Sequence, residues 1–331
     1  MKGHLVRYYL GKIGLFLLTL WAAITVNFLL PRMMPGSPAD AAIAKLSQNG
    51  PVTPEMRASI EAQLGVPTGN PFQQYVQYLN DVIHLNFGIS YSNFPQSVSS
   101  LVSTALPWTL VLVGTVTILS FIIGTMLGAA MAWKRGSLVD ATGSVSSSFF
   151  SAFPPFWLAL LLLFFLGYVA KAFPTSGAYA ATAVPNPSWS FLIDALYHSI
   201  LPGLTILITS LGSWVMGMRN NMINTLGDDY VTFAEANGLH QGTVMLRYAA
   251  RNALLPNLTS FGLVLGGVVG GSLLVEQVFS YPGIGMLLFQ AVTNQDYPLM
   301  QALFLMITVS VLVANFVVDI LYGVLDPRTR R

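Results

Sequence analysis

The sequence predicts an all-α polytopic membrane protein. Six transmembrane helices are expected, with a long external loop after the first and a cytoplasmic loop between the fourth and fifth. Three observations predict this. Of the 331 residues, 54% are hydrophobic and only 8% charged, against roughly 25% charged in a soluble domain, so charge cannot cover a water-facing surface. The charges that exist are separated by long apolar intervals. Finally, Lys and Arg fall unevenly on alternate connecting segments.

The same composition excludes other classes. Intrinsically disordered chains are poor in apolar residues, and this one is rich in them. There is no cysteine, so disulfide scaffolds, thiol catalysis and thiolate-ligated metals are excluded. A formal net charge of +2 is too small to point to nucleic acid.

The spans follow from the charge-free intervals. These are 13–31, the apolar part 106–133 of the stretch after Asp81, 141–170, 195–218, 252–275 and 297–318. Each is long enough for the roughly 20 apolar residues that cross a hydrocarbon core. The run Ile13–Leu30 exceeds the apolar region of about 7–15 residues of a signal peptide, so it is read as a retained span. With the N-terminus inside, segments 1–12, 134–140, 219–251 and 326–331 carry eleven of the fifteen Lys and Arg residues. Positive charge is retained on the cytoplasmic side, so both termini are expected there. Three regions result: 1–30 with the first span, 31–105 as external loop, and 106–331 as a five-helix core that includes the loop 219–251.

The external loop reads as short helices packed on the membrane face. Pro54-Glu55 opens one that ends near Leu64-Gly65, and Phe72, Tyr75, Val76 and Leu79 fall at helical spacing. Tyr75, Tyr78, Tyr91 and Trp108 are candidates for stacking on a sugar, although such aromatics more often anchor at an interface. A second external loop runs from Lys171 to about His198, with Trp189 and Tyr197 expected at the headgroup level.

The cytoplasmic loop 219–251 is the most informative segment. Asp228 and Asp229 are good N-caps for a helix beginning near Tyr230. Tyr230, Phe233, Ala234 and Asn237 are expected on one face. Gly238 is placed to stop the helix, because glycine tolerates the left-handed conformation of a helix end. A second helix is expected from near Thr243 toward the fifth span. In that span Gly262, Gly266 and Gly270 recur every four residues, a spacing that allows close helix approach. It suits either a sliding, pore-lining gate or static packing. Gly124 and Gly128 carry the weaker form of this signal. The sequon at Asn257-Leu258-Thr259 lies inside a span and is read as chance.

Much chemistry is absent from the sequence. There is no G-x-x-x-x-G-K-[ST] phosphate loop and no H-E-x-x-H. The four histidines are scattered. Glu276 and Asp319 lie near span ends, and no acidic residue lies at mid-span, where ion-coupled pumps place theirs. No catalytic site, cofactor or metal is expected on this chain.

Several motifs together resemble one family. The runs Asp229-Tyr230-Val231, Ala234-Glu235-Ala236-Asn237-Gly238-Leu239 and Arg247-Tyr248-Ala249-Ala250-Arg251-Asn252-Ala253-Leu254-Leu255-Pro256 resemble the EAA loop of ABC importer permeases. They look like the variant found in the oligopeptide/dipeptide permease family, in its first (B-type) permease. Glu276-Gln277-Val278-Phe279-Ser280-Tyr281-Pro282-Gly283-Ile284-Gly285 is similar to that family's signature before the last span. Phe153-Pro154-Pro155-Phe156-Trp157, the pattern from Pro31 to Pro38, and the ending Asp319, Tyr322 and Leu325-Asp326-Pro327-Arg328 match as well.

The resemblance implies a permease of the cell (inner) membrane with four kinds of neighbour. These are a homologous second permease, two ABC ATPase subunits that hold ATP and Mg, an extracytoplasmic solute-binding protein, and lipid. It further implies that residues 230–246 form a coupling helix seated in an ATPase groove, with Tyr230, Phe233, Ala234, Glu235, Ala236, Gly238 and Leu239 as its contact residues. Ala234, Ala236 and Gly238 would permit close packing, and Glu235 would offer a charge. The implied solute is a di- or oligopeptide. Glu235 and Asn237 stand where the peptide branch often has basic residues, which keeps oligosaccharides such as β-glucan fragments as the alternative. A stand-alone secondary transporter or a polytopic enzyme would need clustered carboxylates or histidines.

Overall fold

The computed structural model describes residues 2–33, 53–55 and 70–325. The helix opening at Pro54 is followed only to Glu55, and most of it, like the stretch to Pro38 and the final Asp326-Pro327-Arg328, lies outside the described residues. Among the described residues the secondary structure is helical apart from one isolated bridge, Ile89 to Ser97.

Five helical stretches have the length and composition to cross a membrane: Leu10–Leu30, Val98–Trp133, Trp189–Leu226, Gln241–Val278 and Tyr297–Val318. A sixth crossing exists if the pair Leu138–Ser151 and Pro155–Val169, bent by 94°, is one span. The interval expected to hold the third span is thus occupied by a bent helix pair. Pro154 and Pro155 cause the break, since neither supplies a backbone N–H. The chain divides into two compact units, Met1–Trp108 with Gly283–Arg331, and Thr109–Pro282.

In the first unit, α1 (Lys2–Met33) packs along the last helix, which spans Tyr297–Leu325. Phe16 and Phe316 lie 4.9 Å apart between centroids. Buried Asn27 donates to the Gln301 carbonyl at 2.8 Å and to the Tyr78 hydroxyl at 3.0 Å. Helix α2 (Pro71–Ile83) starts at a capping box: Asn70 accepts from Gln73 N at 2.8 Å, Gln73 returns the bond, and Pro71 needs no partner for a missing N–H. The expected single face of this helix is divided. Tyr75 and Tyr78 turn to α1, while Phe72 and Val76 are exposed.

The segment after α2 is clamped by fully buried Asp296. Its Oδ2 accepts from Ser90 Oγ, Ser92 N and Ser92 Oγ, the last two at 2.9 and 2.7 Å. Its Oδ1 accepts from Leu299 N at 3.3 Å, at the start of the last helix. Burial, reinforced by the Asp296 charge, pushes the nearby Tyr91 phenol up to about 12. Tyr75, Tyr78 and Tyr91 are thus engaged in packing.

In the second unit, the part of α3 (Val98–Trp133, with a π-helical turn at Leu110–Gly114) from Thr109 onward runs against α6 (Trp189–Leu226), α4 (Leu138–Ser151) packs on α6 as well, and α5 (Pro155–Val169) follows the bend. Small residues set these contacts. A Cβ on Gly124 would come within 2.5 Å of the Trp214 Cβ, and one on Gly128 would collide with the Val215 carbonyl. One on Gly212 of α6 would collide with Ser147 and Ser151.

The glycine ladder of the fifth span behaves differently. Helix α8 (Arg251–Gly267) ends, Val268–Gly270 tightens into a 3₁₀ turn, and Gly271 takes φ +68° before a short helix, Leu273–Val278. Of the three repeating glycines only Gly266 is buried. Gly124 and Gly128, which carry the weaker form of the spacing, do make close helix contacts.

Overpacking a close contact costs roughly 1–3 kcal/mol. Gly128→Val is therefore expected to lower the thermal midpoint of the purified protein by several degrees or to abolish folded yield. Gly267→Ala, where a Cβ meets nothing within 4 Å, is expected to leave the midpoint unchanged in the same melting experiment.

Candidate functional site

The loop between the fourth and fifth spans begins where α6 ends at Gly227. Helix α7 (Asp229–Ala236) follows with Asp228 at its N-cap position, although the Asp228 side chain makes no capping bond. The helix stops as a Schellman turn. Gly238 N donates to Glu235 O at 2.9 Å, Leu239 N donates to Ala234 O at 3.3 Å, and Gly238 takes φ +74°. Asn237 adds a bond from its Nδ2 to Phe233 O at 2.7 Å. After this elbow, His240 Nδ1 accepts from Gly242 N at 3.2 Å. The chain then rises through Gln241–Thr243 and a π-helical segment, Val244–Ala250, into α8.

The expected face of α7 is corrected in part. Its inward stripe is Val231 and Ala234, which are buried with Val244 against Trp133 and Leu226. Tyr230, Phe233, Glu235, Ala236, Gly238 and Leu239 are exposed. Phe233 is 71% exposed, whereas Ala234 beside it is 3% exposed. Of the seven residues expected to act together, Ala234 braces the helix and the other six form its outer surface. Tyr230 is steadied by Asn252 Nδ2, which donates to its hydroxyl at 2.9 Å. Val231 and Val244 were not singled out from sequence, although the three-residue spacing of Val231 and Ala234 is a helical signal.

The base beneath the elbow is also fixed. Ala129 and Ala132 of α3, Met218 and Met222 of α6, and Ala249 and Ala253 leading into α8 form one buried cluster. Asn221 Nδ2 donates to Asn257 Oδ1 at 3.2 Å, so the sequon asparagine is a buried clasp between the fourth and fifth spans. Arg219 grips Asp140 through Nε at 2.5 Å and Nη2 at 3.0 Å, and Gly136 N donates to the same carboxylate at 3.0 Å. This bidentate pair ties the 134–140 turn to the lower part of α6. Seventy-nine residues separate its members, and no local pattern connects them.

The 276–282 segment forms a second ordered feature. Glu276 is fully buried and accepts from Thr109 Oγ1 at 3.1 Å and from Ser272 N at 3.4 Å. Phe279 packs with Ala159, Leu201 and Val275, and its carbonyl accepts from Gly177 N at 2.9 Å. Tyr281 is buried beside Ser199, and burial pushes its phenol above the ordinary value. The motif read from sequence is thus a structural hub held by buried Glu276, Phe279 and Tyr281.

These features define a class: a helical, multi-pass membrane protein in which the apolar stretches Trp189–Leu226 and Gln241–Val278 are joined by an ordered elbow with a largely apolar outer surface. Residues 124–331 match the family described as "Binding-protein-dependent transport system inner membrane component". The chain is 32% identical over 339 aligned positions to a di/tripeptide transport system permease protein of Pseudomonas aeruginosa, covering 98% of this chain and 99% of the relative. It is 30% identical to an oligopeptide transport system permease protein of Bacillus subtilis over 329 positions, covering 99% of each. It is also 30% identical to a dipeptide transport system permease protein of Escherichia coli K12 over 342 positions, covering 98% of this chain and 99% of that one. The chain belongs to this family of transport-system membrane components.

Asp140→Asn is expected to lower the thermal midpoint by a few degrees, because Arg219 would keep its charge and lose its bidentate partner. The exchanged pair Asp140→Arg with Arg219→Asp is expected to recover part of the loss. A double variant as unstable as the sum of the single ones, measured by the same melt, would dissociate the two residues.

Proposed function

We propose that this chain is the permease subunit of an ATP-driven importer and forms half of the passage for peptides delivered by an extracytoplasmic solute-binding protein. A homologous second permease supplies the other half. Two ABC ATPase subunits, holding ATP and Mg, sit on the cytoplasmic side against the loop 219–251. The observation that carries the reading is the exposed Tyr230, Phe233 and Leu239 surface on a helix too short to be stable alone yet fixed by the Schellman turn and the Val231, Ala234 and Val244 brace.

Such a construction transmits force. An exposed aromatic anchor fits a pocket on a partner, where truncating a central aromatic typically costs about 2 kcal/mol or more. The brace passes displacement of α7 to α3 through Trp133 and to α6 through Leu226. Closure of the ATPases on ATP would thereby rock the bundle from outward-open to inward-open. Gly262, Gly266 and Gly270 would lie where the fifth span slides or packs during that motion. The eleven Lys and Arg residues on the inside segments support a cytoplasmic elbow and cytoplasmic termini. The peptide assignment is supported by the relatives named for peptide transport.

In the reconstituted complex, Phe233→Ala is expected to leave the chain folded, and Gly238→Pro, which can neither take φ +74° nor donate the Gly238 N–H bond, to distort the elbow while the spans stay folded. In both, ATP hydrolysis is expected to run while uptake falls by about tenfold or more, the factor that corresponds to a coupling loss above 1.4 kcal/mol. Normal uptake by both variants would remove the coupling assignment. Mass spectrometry of solutes retained by the cognate binding protein is expected to find peptides. A sugar-only profile would overturn the peptide reading and leave the permease reading intact.

A further inference from the structure

Helix α2 (Pro71–Ile83) lies against the end of the first span, and its contacts report its depth. Arg32 donates to Gln74 Oε1 from Nη2 at 3.1 Å. Asn27 donates to the Tyr78 hydroxyl at 3.0 Å, and the Thr25 and Tyr75 hydroxyls are 2.7 Å apart. At about 100° per residue, Gln74, Tyr78 and Tyr75 follow one another around the α2 axis. Their partners, Arg32, Asn27 and Thr25, descend α1 in the same order. The seven-residue step from Thr25 to Arg32 is about 10 Å of helix, but the Arg32 guanidinium folds back one turn, donating to the Phe28 carbonyl and lying over its ring. The Tyr75 flank of α2 is therefore level with Thr25, inside the apolar run, and the Gln74 flank is level with Phe28, near the end of that run at Leu30.

Continuing around the axis past Tyr75, the next residues are Leu79, Phe72, Ile83 and Val76. Phe72, Val76 and Ile83 are 73%, 50% and 77% exposed. Beyond them come Asn80, Gln73, Gln77 and Asp81, which close the circle back to Gln74. The helix thus has three sectors: tyrosines toward α1, an uncovered apolar strip on the deep side, and amides with one carboxylate on the shallow side. A helix lying across the bilayer surface beside a vertical span meets these three surroundings: protein at its flank, acyl chains below and water above. At the same level α1 exposes Val26, Leu29 and Leu30, so the apolar strip continues the lipid-facing side of the first span.

We propose that α2 is a membrane-interface helix whose Phe72, Val76, Leu79 and Ile83 enter the acyl chains of the leaflet at the C-terminal end of the first span. It acts as a float that holds the segment joining the first two spans at fixed depth. The Asp296 clamp on Ser90 and Ser92 fastens the next part of the same segment to the last helix. The inference requires only that the first span crosses a bilayer. It does not depend on the solute or on the ATPase contact.

The test uses the absence of cysteine from the chain. Single variants Phe72→Cys, Val76→Cys, Ile83→Cys, Gln73→Cys and Gln77→Cys are made in the full chain, assembled with partners whose own cysteines have been removed. They are labelled with a small fluorophore in nanodiscs. Quenching by phospholipid carrying a nitroxide high on its acyl chain is compared with quenching by aqueous iodide. Positions 72, 76 and 83 are expected to be quenched several-fold more by the lipid nitroxide than positions 73 and 77, with the opposite order for iodide. Iodide quenching at 72, 76 and 83 equal to that at 77 would place the strip in water. Protection from both quenchers would show a protein covering it. Either result overturns the proposal.

Discussion

Hydrocarbon offers no hydrogen-bond partner to a peptide group, and the rest of this structure is an answer to that fact. Regular helix is the default, and at three departures from it the missing backbone bonds are either supplied by protein or made unnecessary. At the Gly271 turn, Ser272 N finds the Glu276 carboxylate, which is itself held by Thr109. At the 94° bend before Pro155, a proline pair lies where N–H groups would otherwise be lost. The elbow of the loop 219–251 satisfies its last carbonyls through Gly238 and Leu239.

A second consequence is that helices in lipid gain little from hiding apolar surface from one another, so contact distance becomes decisive. Gly124, Gly128 and Gly212 let α3, α4 and α6 meet backbone to backbone. This tight block is the frame on which the elbow is mounted. Trp133, at the end of α3, contributes both to the buried cluster at the base and to the brace of α7. A push on the outer face of α7 therefore meets packed side chains, and the Asp140–Arg219 pair fixes the 134–140 turn to α6.

The elbow was legible because its signals are local. Asp228, the short helix, Gly238 and the restart near Thr243 are all read within a few residues of one another, and the structure keeps that order. The face assignment was less legible. Ala234 turns inward while Phe233 turns out, because Val244 and Trp133 decide which side is covered, and neither lies on the helix. The third span shows the same limit. Its apolar length and its proline pair are plain in the sequence, whereas the 94° size of the bend is seen only in the fold.

What the sequence determined by itself is the membrane class, the positions of the apolar crossings and the existence of a capped elbow, since charge spacing, apolar length and helix-end chemistry act over short stretches of chain. Tertiary structure alone decided which glycines carry close packing, that Glu276 and Asp296 are buried acceptors, and that Asp140 belongs with Arg219. The carboxylate pairings join residues from 79 to more than 200 positions apart. Coulombic and steric complementarity of that kind exists only once the chain has folded, so no window along the sequence contains it.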